Sequence, residues 1–245
     1  MRIVRGIGCA VVILLSAFPI YAQQTHTKPW YDISRLMLGT DSLQIYLVRE
    51  DGRQHLGTLW DEVVLDQWNG VRAVRRTYRT TNRLFGNHHE VTYTRFPDLQ
   101  PLADRTEAAL YSSHTIYRTD SIVGWSQPRD SARREYSLPA VPGQFDAQSV
   151  DLLVRTGDLG PGFDRQFTAF LSTSGEPGRM RAWVTGSAVL LDDRGTPRAV
   201  WVVELDFNGL GNTMWIDKQT RALHQQVIRL APGMEIHSVR SRPGA

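Results

Sequence analysis

Apolar and polar residues alternate with a period of two through most of this chain, the spacing of strands rather than helices. In "VWVVELDF", Trp201, Val203, Leu205 and Phe207 share one face. Glu204 and Asp206 lie on the other, beyond Val200 and Val202, so this strand is expected to lay one side on a core. "LGTLWDEVVLDQ" is different: Leu59, Val63 and Leu65 share a face with Asp61, while Trp60, Glu62 and Val64 share the opposite one. That pattern has no dry side and no wet side. "HHEVTYTRF" and "ALHQQVIRL" are mixed in the same way. A curved sheet with a partly filled concave surface shows such faces, and so do loosely packed edge strands.

Turn chemistry divides the pattern into an antiparallel meander. Glu50-Asp51-Gly52 ends "SLQIYLV", Asn69-Gly70 ends "LGTLWDEVVLDQW", and further stops fall near Gly86-Asn87 and at Pro97-Asp98. "RTEAALYSSHTIYRT", "SIVGWS" and "ARREYSL" continue as strands. Valine, threonine, tyrosine and tryptophan recur throughout, as half-buried pleated surfaces require. One segment breaks the rhythm: "QFDAQSVDLLVRTG" predicts a helix of about ten residues. Asp146 is its N-cap, Phe145 and Val150 are placed for a hydrophobic staple, and Val150, Leu152 and Leu153 form the apolar stripe. Arg155 suits the C-terminal end, and Gly157 is expected to take a left-handed stop.

The ends are read differently. Arg2 and Arg5 precede an almost wholly apolar run from Gly6 to Tyr21, with Pro19 just before Ala22. This is the pattern of a secretory signal peptide over residues 1–22 cleaved after Ala22, which implies a periplasmic protein with no integral membrane span after cleavage. Residues 23–30 read as a disordered N-terminal arm and 31–240 as a single β-rich domain. Cys9, the only cysteine, lies near the start of the apolar run, with most of the run after it, and leaves with the signal, so the mature chain is expected to have no disulfide. The remaining 223 residues are enough to bury roughly 70% of the unfolded surface without one.

Charge then narrows the partners. The chain has 28 basic and 25 acidic residues; loss of Arg2 and Arg5 leaves 26 against 25, a balance of +1. Alternation sends the arginines of "VRAVRRTYRTTNR" to both faces of a strand, and export argues further against nucleic acid.

Catalytic and metal signatures are incomplete. His88 and Glu90 share a strand face, but two ligands are too few for zinc. Asp192-Asp193 precede Arg194-Gly195 and belong to a turn. Neither a G-x-S-x-G elbow nor a thiol in the mature chain supports covalent catalysis. Asp217, Thr220 and His224 resemble pieces of a hydrolytic site. Asp217-Lys218-Gln219-Thr220 nevertheless has the composition of a β-turn, and alternation places His224 opposite Leu223 at the sheet surface. No cofactor is expected, no residue is assigned as catalytic or metal-binding, and a hydrolase is the minor alternative. Tryptophan is abundant, and Trp60, Trp183, Trp201, Phe207 and Trp215 are the candidate lining of a concave ligand site.

Three features in order also carry a resemblance: "FDAQSVDLLVR", the hairpin "VTGSAVLLDDRGTPRAVWVVEL", and "MWIDKQTRALHQQVI". Together they resemble a family of exported bacterial β-rich proteins of unknown function, similar in architecture to the LolA-like lipoprotein carriers. Trp215, Ile216, Asp217, Thr220 and Leu223 match its W-I-D-x-x-T-x-x-L hairpin, while Lys218 and His224 depart from it where proline is common. The resemblance implies a mainly β fold with minor α, a curved antiparallel sheet or half-barrel with one packed helix. It also implies a hydrophobic ligand, a lipid or lipoprotein acyl chain, on the concave face. The alternative is an interaction module that docks on another envelope protein with no small-molecule ligand.

Overall fold

Turns set the strands where the sequence places them, with one exception. The computed structural model describes residues 29–84, 86–192, 194–207 and 209–240. The signal segment 1–22 and residues 23–28 of the arm lie outside the described residues. Trp30, assigned to the arm, is instead part of the fold. Its ring stacks on Phe167 and meets Phe163 edge-on, each at 5.8 Å. So large an apolar ring gains more from burial than from a solvated tail.

In chain order the strands are β1 (Gly39–Arg49), β2 (Gly52–Trp68), β3 (Val71–Asn82), β4 (His88–Arg95) and β5 (Pro101–Ala108). Next come β6 (Tyr111–Tyr117), β7 (Ser121–Pro128), β8 (Arg134–Pro139), β9 (Phe145–Asp146) and β10 (Asp164–Leu171). The last are β11 (Glu176–Leu191), β12 (Pro197–Phe207), β13 (Leu210–Asp217), β14 (Leu223–Ala231) and β15 (Met234–Arg240). Asn69 and Gly70 both have positive φ, 48° and 81°, as a two-residue hairpin turn that follows the sheet twist requires. The exception is the run from Arg105 to Thr119, read as one strand. It is divided into β5 and β6 by a turn at Ala109 and Leu110, residues with no turn signature.

All of these strands belong to one sheet, ordered β8 back to β1, then β15 back to β9. Two antiparallel meanders thus meet where β1 pairs with β15, and only β9 and β10 run parallel. The sheet is open but strongly curled, and its two ends approach one another. Tyr136 of β8 and Phe170 of β10 meet with ring centroids 5.4 Å apart. Beside this seam, at Gly175, an added Cβ would stand 2.8 Å from the Tyr136 ring, so the close approach needs a glycine.

The helical segment lies inside the curl. A 3₁₀ turn (Ala147–Ser149) leads into α1 (Val150–Thr156), and Asp146 caps the turn by accepting from the Gln148 N–H at 3.2 Å. Every residue of α1 except Asp151 is buried, so the expected one-sided stripe is replaced by burial all round. Val150 and Val154 pack into a large cluster with Leu43, Ile45, Leu59, Met214 and Ile216. Leu152 and Leu153 pack with Phe145, Val63 and Val74 in a smaller one. Phe145 and Val150 therefore join separate clusters instead of forming the predicted staple. Gly157 ends the helix with φ −63°, not in a left-handed conformation; its N–H donates to the Val154 carbonyl. An antiparallel bridge between Gly157 itself and Tyr31 holds it extended there.

The turn between β13 and β14 is built around Asp217, whose Oδ1 accepts from the Gln219 and Thr220 amides, each at 2.8 Å. His224 departs from expectation. It follows a register shift after Trp215 and is 9% exposed rather than on the open surface, 3.5 Å from Asp217 Oδ2. Burial and the charge of Arg240 hold its pKa below the usual imidazole value, against the pull of Asp217. Asp217→Ala is expected to lower stability by about 0.5–2 kcal/mol, the loss seen when a capping side chain is removed. Chemical denaturation that shows no change would contradict the turn assignment.

Candidate functional site

The inner face of the curl has two chemistries. Under β11 to β14 it is apolar: Met180, Ala182, Val203, Met214, Ile216 and Leu223 are all buried there. Under β3 to β6 it is polar. Residues opposite one another in an antiparallel pair share a face. Tyr78 stands opposite Glu90, Glu90 opposite Thr106, and Thr106 opposite Ser113. The adjoining row runs Arg76, Thr92, Asp104 and Thr115. Period-two alternation explains how "HHEVTYTRF" can form a regular strand that buries Glu90, Thr92 and Thr94.

Arg76 organises this wall. Its Nε and Nη2 donate to Asp61 at 2.7 and 3.0 Å, and Nη1 and Nη2 donate to Asp151 at 2.5 and 3.0 Å. The other Nη1 hydrogen goes to the Gln148 carbonyl at 3.0 Å. All five guanidinium donors are thereby used. Arg155, itself buried, adds a second cation 3.7 Å from Asp61. Burial would push the Asp61 carboxyl up, but Arg76 and then Arg155 hold it below the usual range. The face of Leu59, Asp61 and Val63, which looked neither dry nor wet, is in fact the buried one. An internal partner for Asp61 makes that possible.

Three other carboxylates lack such a partner. His88 Nε2 lies 3.1 Å from Glu90 Oε2. Asp104 accepts from the Thr115 and Ser172 hydroxyls at 3.0 and 3.1 Å. Burial, with the charges of Asp146 and Glu90, raises it well above the ordinary carboxylate range. Asp146 is pushed up to about 7 by burial and by Glu90. The Tyr111 hydroxyl is raised by burial, then by Glu90 and Asp104. Among the described residues no group of three or more His, Cys, Asp or Glu is arranged to hold a metal ion.

Between the two chemistries lies a cavity of about 370 Å³, open to solvent. Arg76, Tyr78, His88, Glu90, Tyr111 and Asp151 form one wall, and Ile45, Val150, Leu205, Ile228 and Ile236 form another. Asn212 and Gln226 interrupt the apolar side, and Asn212 Oδ1 is buried with no hydrogen-bond partner. Such a volume, with an apolar body and a few convergent polar groups, is typical of a small-molecule site.

The five aromatics proposed from the sequence are not brought together here; none lines this cavity. Trp60 is 41% exposed and borders depressions elsewhere, one of them shared with Asp217, His224 and Arg240. Trp183 lies outside the curl with the Arg181 guanidinium 4.8 Å from its ring. Trp201 and Phe207 pack against the large core cluster, and the Lys218 ammonium covers Trp201 at 3.8 Å. Trp215, cross-strand from Val202 and Gln225, alternates with the inward-facing Met214 and Ile216 and so points outward. The cavity residues left no comparable mark in the sequence. Two traces were visible: Asp61 among the apolar positions of its strand, and His88 with Glu90 on one face.

No protein-family model and no curated protein sequence matches this chain. Among solved structures, it is similar to the crystal structure of a beta-barrel-like protein of domain of unknown function DUF1849 from Brucella abortus. The two share 11% sequence identity and a TM-score of 0.51, over 83% of this chain and 97% of that one. The likeness is one of fold: a curled, barrel-like β architecture.

Proposed function

We propose that this chain is a binding protein that holds an amphipathic small molecule in the cavity inside the curled sheet, without catalysing its conversion. The observation that supports this most directly is the cavity itself, with an apolar wall of Leu205, Ile228 and Ile236 facing a polar wall around Glu90. Burying a ligand's apolar part there is favourable by roughly 25 cal/mol per Å² removed from water. Beyond that, the reading places the protein in the periplasm, from the signal-like pattern around Arg2, Arg5 and Ala22. A carrier role for a lipid or acyl chain, as in the LolA-like proteins, is the version of this reading that the hairpin motif suggests.

A solvatochromic fluorescent probe with an octyl chain, titrated into the full chain, tests the reading. Saturable uptake is expected. It should be abolished in Ala108→Phe, which adds a ring to the cavity lining. Equal uptake by both proteins would remove the cavity from the account. A second reading, docking on another envelope protein, draws on Val189 and Leu191 near the end of the β11–β12 hairpin, 67% and 71% exposed. The same titration separates the two, since a cavity that takes up no probe leaves the hairpin as the functional surface.

A further inference from the structure

The cavity's charges and open hydrogen-bonding positions narrow the ligand class, an inference that rests on the binding role proposed above. An anionic head group finds no free guanidinium or ammonium among the described residues of this wall. Among the described residues, Arg76 is the only arginine or lysine in the lining, and its five donors are engaged by Asp61, Asp151 and the Gln148 carbonyl. Arg155 gives its Nε–H to the Arg221 carbonyl and turns Nη1 toward Asp61. Two cations thus balance Asp61 and Asp151, and among the described residues Glu90 has only His88 within ion-pair distance, with the already engaged Arg76 acting on it from farther away. The surplus charge of the cavity is negative.

Hydrogen-bonding capacity is biased in the same direction. Asn212 Oδ1 is an acceptor, buried in the lining and without a donor. An unmet buried acceptor is a position that a ligand N–H can satisfy. Tyr111 adds an aromatic ring to the wall, and electron-rich ring faces attract cations. The apolar remainder, Leu205, Ile228 and Ile236, suits a hydrocarbon body.

We infer that the cavity is selective for an amphipathic amine. Its ammonium pairs with Glu90 beside Tyr111, its N–H donors satisfy polar acceptors such as Asn212 Oδ1, and its hydrocarbon part lies along the apolar wall. A fatty acid or a phosphate-bearing lipid head is disfavoured, because it would meet Glu90 with no free guanidinium to offset the repulsion.

Octylammonium, octanol and octanoate share one chain and differ in head-group charge, so calorimetric titration of the full chain at pH 7 with each isolates the head group. Octylammonium is expected to bind at least about tenfold tighter than octanol, the scale of one charge-assisted hydrogen bond, with octanoate weakest. Glu90→Gln should weaken octylammonium by about tenfold, to near the affinity of octanol, and change octanol binding much less. Should that variant not fold, Asn212→Leu serves as the second test, weakening octylammonium more than octanol. Octanol binding as well as octylammonium, or octanoate binding best, overturns the amine inference and leaves the cavity as a binding site. Failure of all three to bind removes the binding reading and the inference together.

Discussion

Replacing Arg76 by methionine is expected to destabilise the protein by about 3–5 kcal/mol, the usual result of removing one partner from a buried ion cluster. The effect is large because the guanidinium bridges two carboxylates, Asp61 and Asp151, with side chains 6% and 14% exposed. Without it, Asp61 keeps only Arg155 at 3.7 Å, and Asp151 loses two hydrogen bonds. Against a total stability of roughly 5–15 kcal/mol for an ordinary domain, this is a substantial fraction. Arg76→Lys should recover little, since an ammonium cannot present a planar fork to two carboxylates. Adding Asp151→Leu to Arg76→Met should restore part of the loss, because Asp151 is the carboxylate left without a counter-charge, whereas Asp61 still has Arg155. Urea denaturation of the four proteins decides the matter. A loss below about 1 kcal/mol for Arg76→Met would show that the cluster contributes no more than an exposed pair.

Asp146 is expected to make the protein more stable as pH falls from 7 toward 4. Its pKa is raised from an ordinary 3.8 to about 7 by burial, then by Glu90. Between those values the folded chain holds a proton that the unfolded chain has released. The folded state therefore binds more protons, and stability declines as pH rises through the interval, remaining lost above about 7. A shift of that size corresponds to a change on the order of 4 kcal/mol. Asp61 and Asp217, both held below their ordinary values, act in the opposite sense. Their contributions are complete above 3.8 and are lost as pH falls through their folded pKa values, which places acid unfolding below pH 4. Asp146→Asn keeps a side-chain oxygen for the Gln148 amide and removes the titration. Denaturation curves at pH 4, 5, 6 and 7 should therefore show a flatter dependence in the variant, with the remainder set by Asp104, raised in the same sense, against His224, lowered and so acting in the opposite one. An unchanged slope would mean that the protons are taken up elsewhere.

What could be read along the chain was local. Hairpin turns such as Asn69-Gly70, the Asp146 cap and the Asp217 turn are settled within a few residues, because backbone φ preference and side-chain-to-amide hydrogen bonds act over that distance. Strand alternation was legible for the same reason, and "VWVVELDF" buries Val203 and Leu205 on the face assigned to the core. Mixed strands yielded their general meaning, a curled sheet with an incompletely apolar interior, but not which residues meet inside it. The division at Ala109 and Leu110 was missed because that turn has neither glycine nor proline.

The tertiary structure alone decided which way each face turned and what stood opposite. Asp61 lies 15 positions from Arg76, and Arg76 lies 75 from Asp151, yet the three are joined by hydrogen bonds. Nothing in the local pattern of any one segment requires that meeting. It follows from the curl, which carries α1 into the interior of the sheet, with a buried charge tolerated only where its counter-charges also arrive. The tryptophans show the converse. Their size made them candidates for a concave site, but a ring's hydrophobicity does not specify the face it occupies. Registers and the seam at Phe170 and Tyr136 distributed them to the core and the outer surface, leaving Glu90, Tyr111 and Asn212 around the cavity. Strand periodicity and turns were thus properties of the sequence. The polar cavity exists only because the sheet brings separate polar positions together, and burial strengthens their interactions there.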